Sequence, residues 1–432
     1  MSGSRRSGLR RRGHRNPDSL STPQHLADHF FRHEYGRLVA LLARRVGTHH
    51  IEAVEDAVQS ALTSALDSWP VAGVPDNPTA WLFRVARNAL WDELRRGTRH
   101  QRALEDAVYA APLDTVSPVL AREIPDDMLR MLFACCDDAI PVESQLVLAL
   151  KILCGFEVRE IAVRLFTSDA NVYKRLQRAR SRLRDHPGLL DDLSEAQCRA
   201  RLPAVQKILY LMFTEGYLSS HAEFAIRREL CAEAMRLTSL VAKHPMGDTP
   251  ETSALMALMH LHYARLAARQ DDTGGLLLLE EQDREQWDDR EIACGLSWLA
   301  RSAAGEHFSR YHAEAGIAAE HCLAPTFQET NWAAVVEYYE LLEQSEPSML
   351  HRLNRAVAVA ELHGPAAGLA LLEGLEPPTW LAGSYMWMAV LADLHRRCGN
   401  PSSANRYGAL ASELASTPAI RRALERRLHA SS

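Results

Sequence analysis

Long stretches of helix-spaced apolar residues alternate along this chain with short polar or proline-rich breaks, and no segment shows a convincing period-two strand pattern. Residues 24–46 predict a helix with Phe30, Phe31, Leu38, Leu41 and Leu42 on its core side. A second helix, 51–69, carries Ile51, Val54, Val58, Leu62, Ala65, Leu66 and Trp69 at helical spacing. The run PVAGVPDNP (70–78) holds three prolines and a glycine and predicts a loop. AWLFRVARNALWDELRR (80–96) then has neither Gly nor Pro, and predicts a helix ending near Gly97. At 100° per residue Leu82, Phe83, Ala86, Ala89, Leu90 and Leu94 share one broad face, and Arg84, Asn88, Asp92 and Arg95 the opposite one. Trp81 and Trp91 fall on the arginine side, an unusual place for the two largest rings of a helix.

Residues 98–124, with Pro112 and Pro118, predict a linker. Helical patterns resume from Asp126 to Arg184, with breaks around Ala139–Pro141 and at Cys154–Gly155–Phe156, and HPGLL (186–190) marks the next boundary. Beyond it the pattern is helical almost throughout. AVAVAELHGPAAGLALLE (356–373) and AVLADLHRRCGNPSSANRY (389–407) each place a helix, a Gly-containing turn and a second helix. Gly364 and Gly399 stand 35 residues apart, near the 34-residue period of tetratricopeptide (TPR) repeats. Residues 188–432 are therefore expected to be TPR-like, with stacked helical hairpins that leave a groove. The expected fold class is all-α.

With 432 residues the chain has room for two or three domains, each with a real core. No apolar run approaches the roughly 20 residues of a membrane span, so no membrane association is expected. The start, MSGSRRSGLRRRGHR, is Arg-rich with no apolar stretch behind it, unlike a secretory signal. Residues 1–23 are expected to be a disordered basic tail, either a solvated end or a weak nucleic-acid contact. The eight cysteines form no CxxC pair, which excludes a zinc ribbon or thioredoxin-like site and fits buried free thiols in a reducing cytoplasm. Charge is uneven: residues 1–190 hold 27 Lys and Arg against 23 Asp and Glu, whereas residues 191–432 hold 22 against 32. Nucleic acid is thus expected at the N-terminal end only.

The strongest local signal is VREIAVRLFTSDANVYKRLQRARSRLR (158–184). Val158, Ile161, Ala162 and Leu165 stripe a short helix, Phe166–Thr167–Ser168 turn the chain, and Ser168 with Asp169 suits the start of a second helix. There Val172, Leu176, Ala179 and Leu183 form a narrow seam, and Asn171, Lys174, Arg175, Arg178 and Arg182 project elsewhere. An apolar seam to dock the helix and cations to meet phosphates and guanine edges are what a helix-turn-helix needs in a major groove. A merely basic surface helix would lack the short helix and turn before it. The 80–96 helix is the second signal. Trp81 and Trp91 among Arg84, Arg87, Asn88, Arg95 and Arg96 suit unstacked single-stranded bases, at about 1–3 kcal/mol of stacking per base. The alternative is that both rings pack on a neighbouring helix, such as the one ending at Trp69. Third, Glu52, Glu55, Asp56, Gln59 and Thr63 form a polar face on the 51–69 helix, either solvated or a protein contact. His29 and His33 have no third metal ligand nearby, and His260 and His262 point apart on a helix. No phosphate-cradling Gly loop or nucleophile elbow is present, so neither metal, cofactor nor catalytic residue is expected.

Together these segments resemble a known family. WL-x3-ARN-x3-D-x2-RR, formed by Trp81–Leu82, Ala86–Arg87–Asn88, Asp92 and Arg95–Arg96, resembles region 2 of the extracytoplasmic-function (ECF) sigma factors. EDAVQSAL (55–62) is similar to the part of region 2 that grips the clamp helices of core RNA polymerase, and the helix-turn-helix resembles region 4. FTEGY (213–217), LCAEAMRL (230–237), LEEQDREQWD (279–288) and LNRAVAVAE (353–361) look like the long TPR-like extension of one ECF group. That group generally lacks a dedicated anti-sigma factor, which implies that the extension itself supplies regulation or a required contact.

The resemblance implies a region 2 bundle at 24–97, a linker at 98–124 threading along polymerase, region 4 at 125–187 and a regulatory domain at 188–432. Glu55, Asp56 and Gln59 would contact core polymerase, whose clamp helices and flap are the expected partners. Loop 71–78 with Trp81, Arg84, Arg87, Asn88, Trp91, Arg95 and Arg96 would open and hold the −10 element. Asn171, Lys174, Arg175, Arg178 and Arg182 would meet the −35 duplex. A protein or peptide is a further candidate partner for the TPR-like groove. One departure stands out: the family often caps the first helix of the helix-turn-helix with Ser or Thr, where this chain has Glu157–Val158, at about 1 kcal/mol of lost capping. The competing assignment is a polymerase-independent helix-turn-helix regulator with a TPR-like sensor, which would have no use for the region 2 segments. An enzyme fused behind a DNA-binding part has no catalytic motif to support it.

Overall fold

The computed structural model describes residues 23–97, 126–165, 167–185, 194–219, 225–271, 275–305 and 307–429, with the side chains of 23–33, 96–97 and 428–429 outside that description. The expected tail up to residue 22 and the 98–124 linker also lie outside the described residues, as does the arrangement around His29 and His33. Among the described residues every regular element is helical apart from one isolated bridge between Gln270 and Leu276, which agrees with the all-α expectation.

The N-terminal group is α1 (Pro23–Val46), α2 (Ile51–Ala72) and α3 (Pro78–Gly97). Helix α2 runs through Pro70 and closes with the Gly73 N–H on Trp69 O at 2.9 Å, so the sequence-predicted loop starts three residues late. Proline is tolerated there because a terminal turn loses only one ladder bond. The second group is α4 (Asp127–Cys135), α5 (Val142–Ile152), α6 (Val158–Arg164) and α7 (Asp169–Asp185). Asp126 starts α4 by accepting from the Met128 and Leu129 amides at 2.9 and 3.0 Å, satisfying two donors that the first turn leaves free.

The C-terminal half opens with α8 (Glu195–Tyr217), α9 (Arg228–Lys243) and α10 (Pro250–Tyr263). Ser194 and Gln197 form a reciprocal capping box on α8. An irregular stretch leads to α11 (Asp289–Ser302), α12 (Arg310–Leu323), α13 (Trp332–Ser345), α14 (Met349–His363), α15 (Pro365–Ala370), α16 (Thr379–Ala382), α17 (Tyr385–Arg397), α18 (Pro401–Glu413) and α19 (Pro418–His429). Gly364 and Gly399, at φ +92° and +73°, turn α14 into α15 and α17 into α18, as the repeated pattern predicts.

One hydrophobic core runs without interruption from Tyr35 on α1 through α2–α10 to Tyr311 on α12. Packing in this core joins α1–α3, α4–α7 and α8–α10. Gly36 marks the tightest crossing. A Cβ there would stand 2.0 Å from the Leu153 carbonyl oxygen, so the α1 backbone meets the end of α5 with no room for a side chain. Cys135, Cys136, Cys154, Cys198 and Cys231 are buried free thiols, while Cys294 and Cys398 are exposed. Among the described residues no helix is long and apolar enough to cross a membrane, and no group of three or more His, Cys, Asp or Glu is placed to hold a metal.

Candidate nucleic-acid interface

Helix α6 ends at Arg164 and α7 begins at Asp169. On α7 the seam Val172, Leu176, Ala179 and Leu183 is buried throughout. Ser168 Oγ accepts from the Asn171 amide at 3.3 Å, the cap expected from sequence. Asn171, Lys174, Arg178 and Arg182 are exposed and Arg175 is half-buried. The start of α6 is held more firmly than its Glu-Val sequence implies. The Glu160 carboxylate accepts from the Glu157 N–H at 2.7 Å, the reciprocal half of a capping box in which Glu157 takes the place of the Ser or Thr. Tyr173 is also exposed on α7. A large exposed aromatic beside Lys174 was a legible signal, and its ring can meet a thymine methyl or a sugar.

The second surface is more divided than the helical wheel indicates. Arg84, Asn88 and Arg95 are exposed on α3, and Arg87 is half-buried with an Nη2–Asn88 Oδ1 distance of 3.4 Å. The Arg96 side chain lies outside the described residues. Trp91 is 8% exposed and belongs to the interior. Its position only 80° around the helix from Phe83 lets a large ring fold under the apolar stripe. Trp81 is half-buried and packs edge-on to Trp69, with centroids 5.6 Å apart at 63°. The alternative of packing on the helix that ends at Trp69 therefore describes Trp81, and neither ring stands free among the arginines. The exposed apolar groups beside this face are instead Val71 and Val74, at the end of α2 and in the loop after it.

The polar face of α2 is split as well. Asp56 and Gln59 are exposed, but Glu55 is buried. Its carboxylate accepts from Arg180 Nη2 at 2.6 Å and from the Tyr35 hydroxyl at 3.2 Å. Burial raises the Glu55 carboxyl above its ordinary value, and the Arg180 charge only partly opposes this. Arg184 reaches Glu52 at 3.2 Å, and Thr48 Oγ1 donates to Leu183 O at 3.3 Å. The last turns of α7 thus lie on α2, covering part of the face expected to meet a partner protein.

A four-charge cluster joins the helix-turn-helix to the C-terminal half. Glu215 on α8 is buried and accepts from Arg164 of α6, from Arg227 at 2.7 Å and from the Ser219 hydroxyl at 2.9 Å. Arg227 also pairs with Glu160 at 3.3 Å and lies 5.1 Å over the Phe156 ring. Burial by itself raises the Glu215 carboxyl, yet the two guanidinium groups outweigh it and hold the carboxyl below the usual range. The FTEGY segment (213–217) was the signal available: an acid amid apolar residues on a helix.

Comparison with known proteins now agrees with the geometry. Residues 30–100, covering most of α1 and all of α2 and α3, match Sigma-70 region 2, and residues 131–183 match Sigma-70 region 4. Residues 201–303 match a family of unknown function, DUF6596. The chain is similar to the uncharacterized protein R00370 of Rhizobium meliloti (strain 1021), at 35% identity over 385 residues, which is 87% of this chain and 90% of that protein. No solved structure matches it.

Glu215→Gln removes the counter-charge of two arginines while keeping the shape of the side chain. It is expected to cost about 3–5 kcal/mol, the loss on breaking a buried pair. Urea unfolding followed by circular dichroism measures it; a cost under about 1 kcal/mol would mean that the cluster behaves like a surface pair.

Proposed function

Because the chain belongs to the sigma-70 family, whose regions 2 and 4 are non-catalytic transcription-factor domains, we propose that it is a sigma factor of the ECF type that brings core RNA polymerase to specific promoters in the cytoplasm. The single observation that carries this is the presence of both regions in one chain, with the exposed cations of α7 riding on a fully buried seam. Asn171, Lys174, Arg175, Arg178 and Arg182 meet the −35 duplex, and the exposed Tyr173 joins them. Arg84, Arg87, Asn88, Arg95 and Arg96, with the loop at Val71 and Val74, hold the −10 element. In this role Trp91 braces α3 from within and Trp81 is set against Trp69, so the arginines rather than the rings are the principal contacts. Asp56 and Gln59 offer core polymerase a surface at once, and Glu55 joins them only after Arg180 lets go. The C-terminal half is a TPR-like regulatory domain, attached through the Glu215 cluster.

Spacing supports a closed and an open state. Elements centred at −10 and −35 lie about 25 base pairs apart, or about 85 Å along B-form DNA. Helices α2 and α7 touch through Glu55–Arg180 at 2.6 Å, so the two DNA faces cannot span that distance until regions 2 and 4 separate. In this reading the contact between α2 and α7 belongs to the closed state.

Run-off transcription with purified core polymerase tests the proposal. RNA from a cognate promoter is expected only when this chain is added, and identical yield without it would sink the sigma assignment. Arg178→Ala is expected to weaken −35 duplex binding and to lower the slope of log K against log salt by about 1; an unchanged slope in fluorescence anisotropy titrations would argue against a phosphate contact. Arg180→Ala, which leaves Glu55 buried without its partner, is expected to bind core polymerase about 10-fold more tightly in the absence of DNA, equivalent to about 1.4 kcal/mol of relief from the closed contact. Equal affinity would show that opening at α2–α7 is no obstacle.

A further inference from the structure

We propose that the C-terminal half contains a binding site for a small organic anion with an apolar body, in the pocket between the Leu276–Leu278 segment and helices α17, α18 and α19. The pocket has a volume of about 480 Å³, within the range of small-molecule sites. Leu276, Val390, Ile420 and Leu424 wall it, and Ala404 and Gly408 on α18 leave the space open. The pocket is a partly open cleft with a mostly apolar lining, the form that small-molecule sites take.

Arg269 sets the charge of that occupant. Its side chain is buried and lines the pocket. One nitrogen donates to Tyr217 O, and the guanidinium carbon lies 3.6 Å from the centre of the Tyr217 ring. Burial pushes the Arg269 pKa down and the like charge of Arg265 adds to it, while among the described residues no carboxylate forms a salt bridge with this guanidinium. A buried guanidinium without a counter-charge is strongly unfavourable, and an anion in the pocket removes that penalty. The half-buried Tyr385, at the first turn of α17, lines the same pocket in the field of Arg269 and Arg164. Its phenol is a second donor for the same acid group.

The far end of the pocket does not reverse this preference. Asp393, the carboxylate that lines it, is already taken by Arg396 at 2.5 Å and Arg427 at 2.9 Å, so it offers no charge for a cation. A neutral ligand would leave Arg269 as it stands. The combination of an apolar body and a single negative group is what the lining selects.

Isothermal titration calorimetry of the full chain with decanoate tests the proposal, with decyltrimethylammonium and decanol as ten-carbon controls of positive and zero charge. Decanoate is expected to bind one-to-one and at least about 10-fold more tightly than either control. Arg269→Gln is expected to lower decanoate affinity about 10-fold or more, with part of it retained in Arg269→Lys. Ala404→Phe fills the pocket away from Arg269 and is expected to abolish binding. It also keeps the test decisive should Arg269→Gln fail to fold. Equal affinity for the three compounds, no binding at millimolar decanoate, or undiminished affinity in folded Ala404→Phe would each overturn the proposal. The assay contains neither DNA nor polymerase, so its failure leaves the transcription assignment untouched, and a failed run-off assay leaves this site untouched.

Discussion

The structure depends most on the burial of one carboxylate. Glu215 has no solvent of its own, and desolvating a carboxylate is affordable only where several donors replace the lost water. Two guanidinium groups and a hydroxyl do so here, and they come from different elements: Arg164 from the first helix of the helix-turn-helix, Arg227 and Ser219 from the segment between α8 and α9. Glu160 on α6 closes the cluster from the other side through Arg227. Charge geometry of this kind specifies one relative placement more than it adds net stability. The direction in which the α7 cations point follows from that helix's own buried seam and its contacts with α2, together with the placement of α6 by Arg164.

Glu55 is the weaker counterpart. It too is buried, but it is met by one guanidinium and one phenol, and its carboxyl is raised where that of Glu215 is lowered. The sign of each shift shows how fully the charge is compensated: Glu215 is better off ionised in its site than in water, and Glu55 is not. The Arg180–Glu55 pair on α7 is therefore the less fully compensated of the two buried charge contacts, and the Glu215 cluster on α6 the more fully compensated. The Gly36–Leu153 crossing adds contact at the same boundary but no charge, so it resists separation only through packing.

Local features of this fold were legible because they are written in short-range periodicity. The α7 seam, the Ser168 cap, the breaks at Ala139–Pro141 and around Gly155, and the turns at Gly364 and Gly399 each depend on residues within a few positions of one another. The errors have the opposite character. Glu55 lies on the polar side of α2, and nothing within a few residues reveals that Arg180, 125 positions away, will cover it. Trp91 was misassigned for a smaller reason: a wheel scores a position by angle alone, and an indole at the edge of a stripe reaches the core where a shorter side chain would not. Glu157 and Glu160 stand three residues apart, the spacing of a capping box, and the Glu160 carboxylate takes up the Glu157 N–H without any hydroxyl at the cap.

The C-terminal half is not an appendage in the physical sense, whatever its length suggests. Arg201 on α8 donates to Phe133 O at 3.1 Å and pairs with Asp137, so it serves as a strut for α4 and the turn after it. Leu202, Val205, Leu209 and Phe213 belong to the same core as Leu38 and Leu150. Cutting the chain near residue 190 would strip one wall from that core, and a lost activity would then report unfolding as readily as lost regulation. A cut therefore cannot separate what this half does from what it holds up, whereas a change at one charge can. The Arg164–Glu215 contact is one of several that tie the helix-turn-helix and the helices before it to this half, beside the Arg201 strut and the shared core.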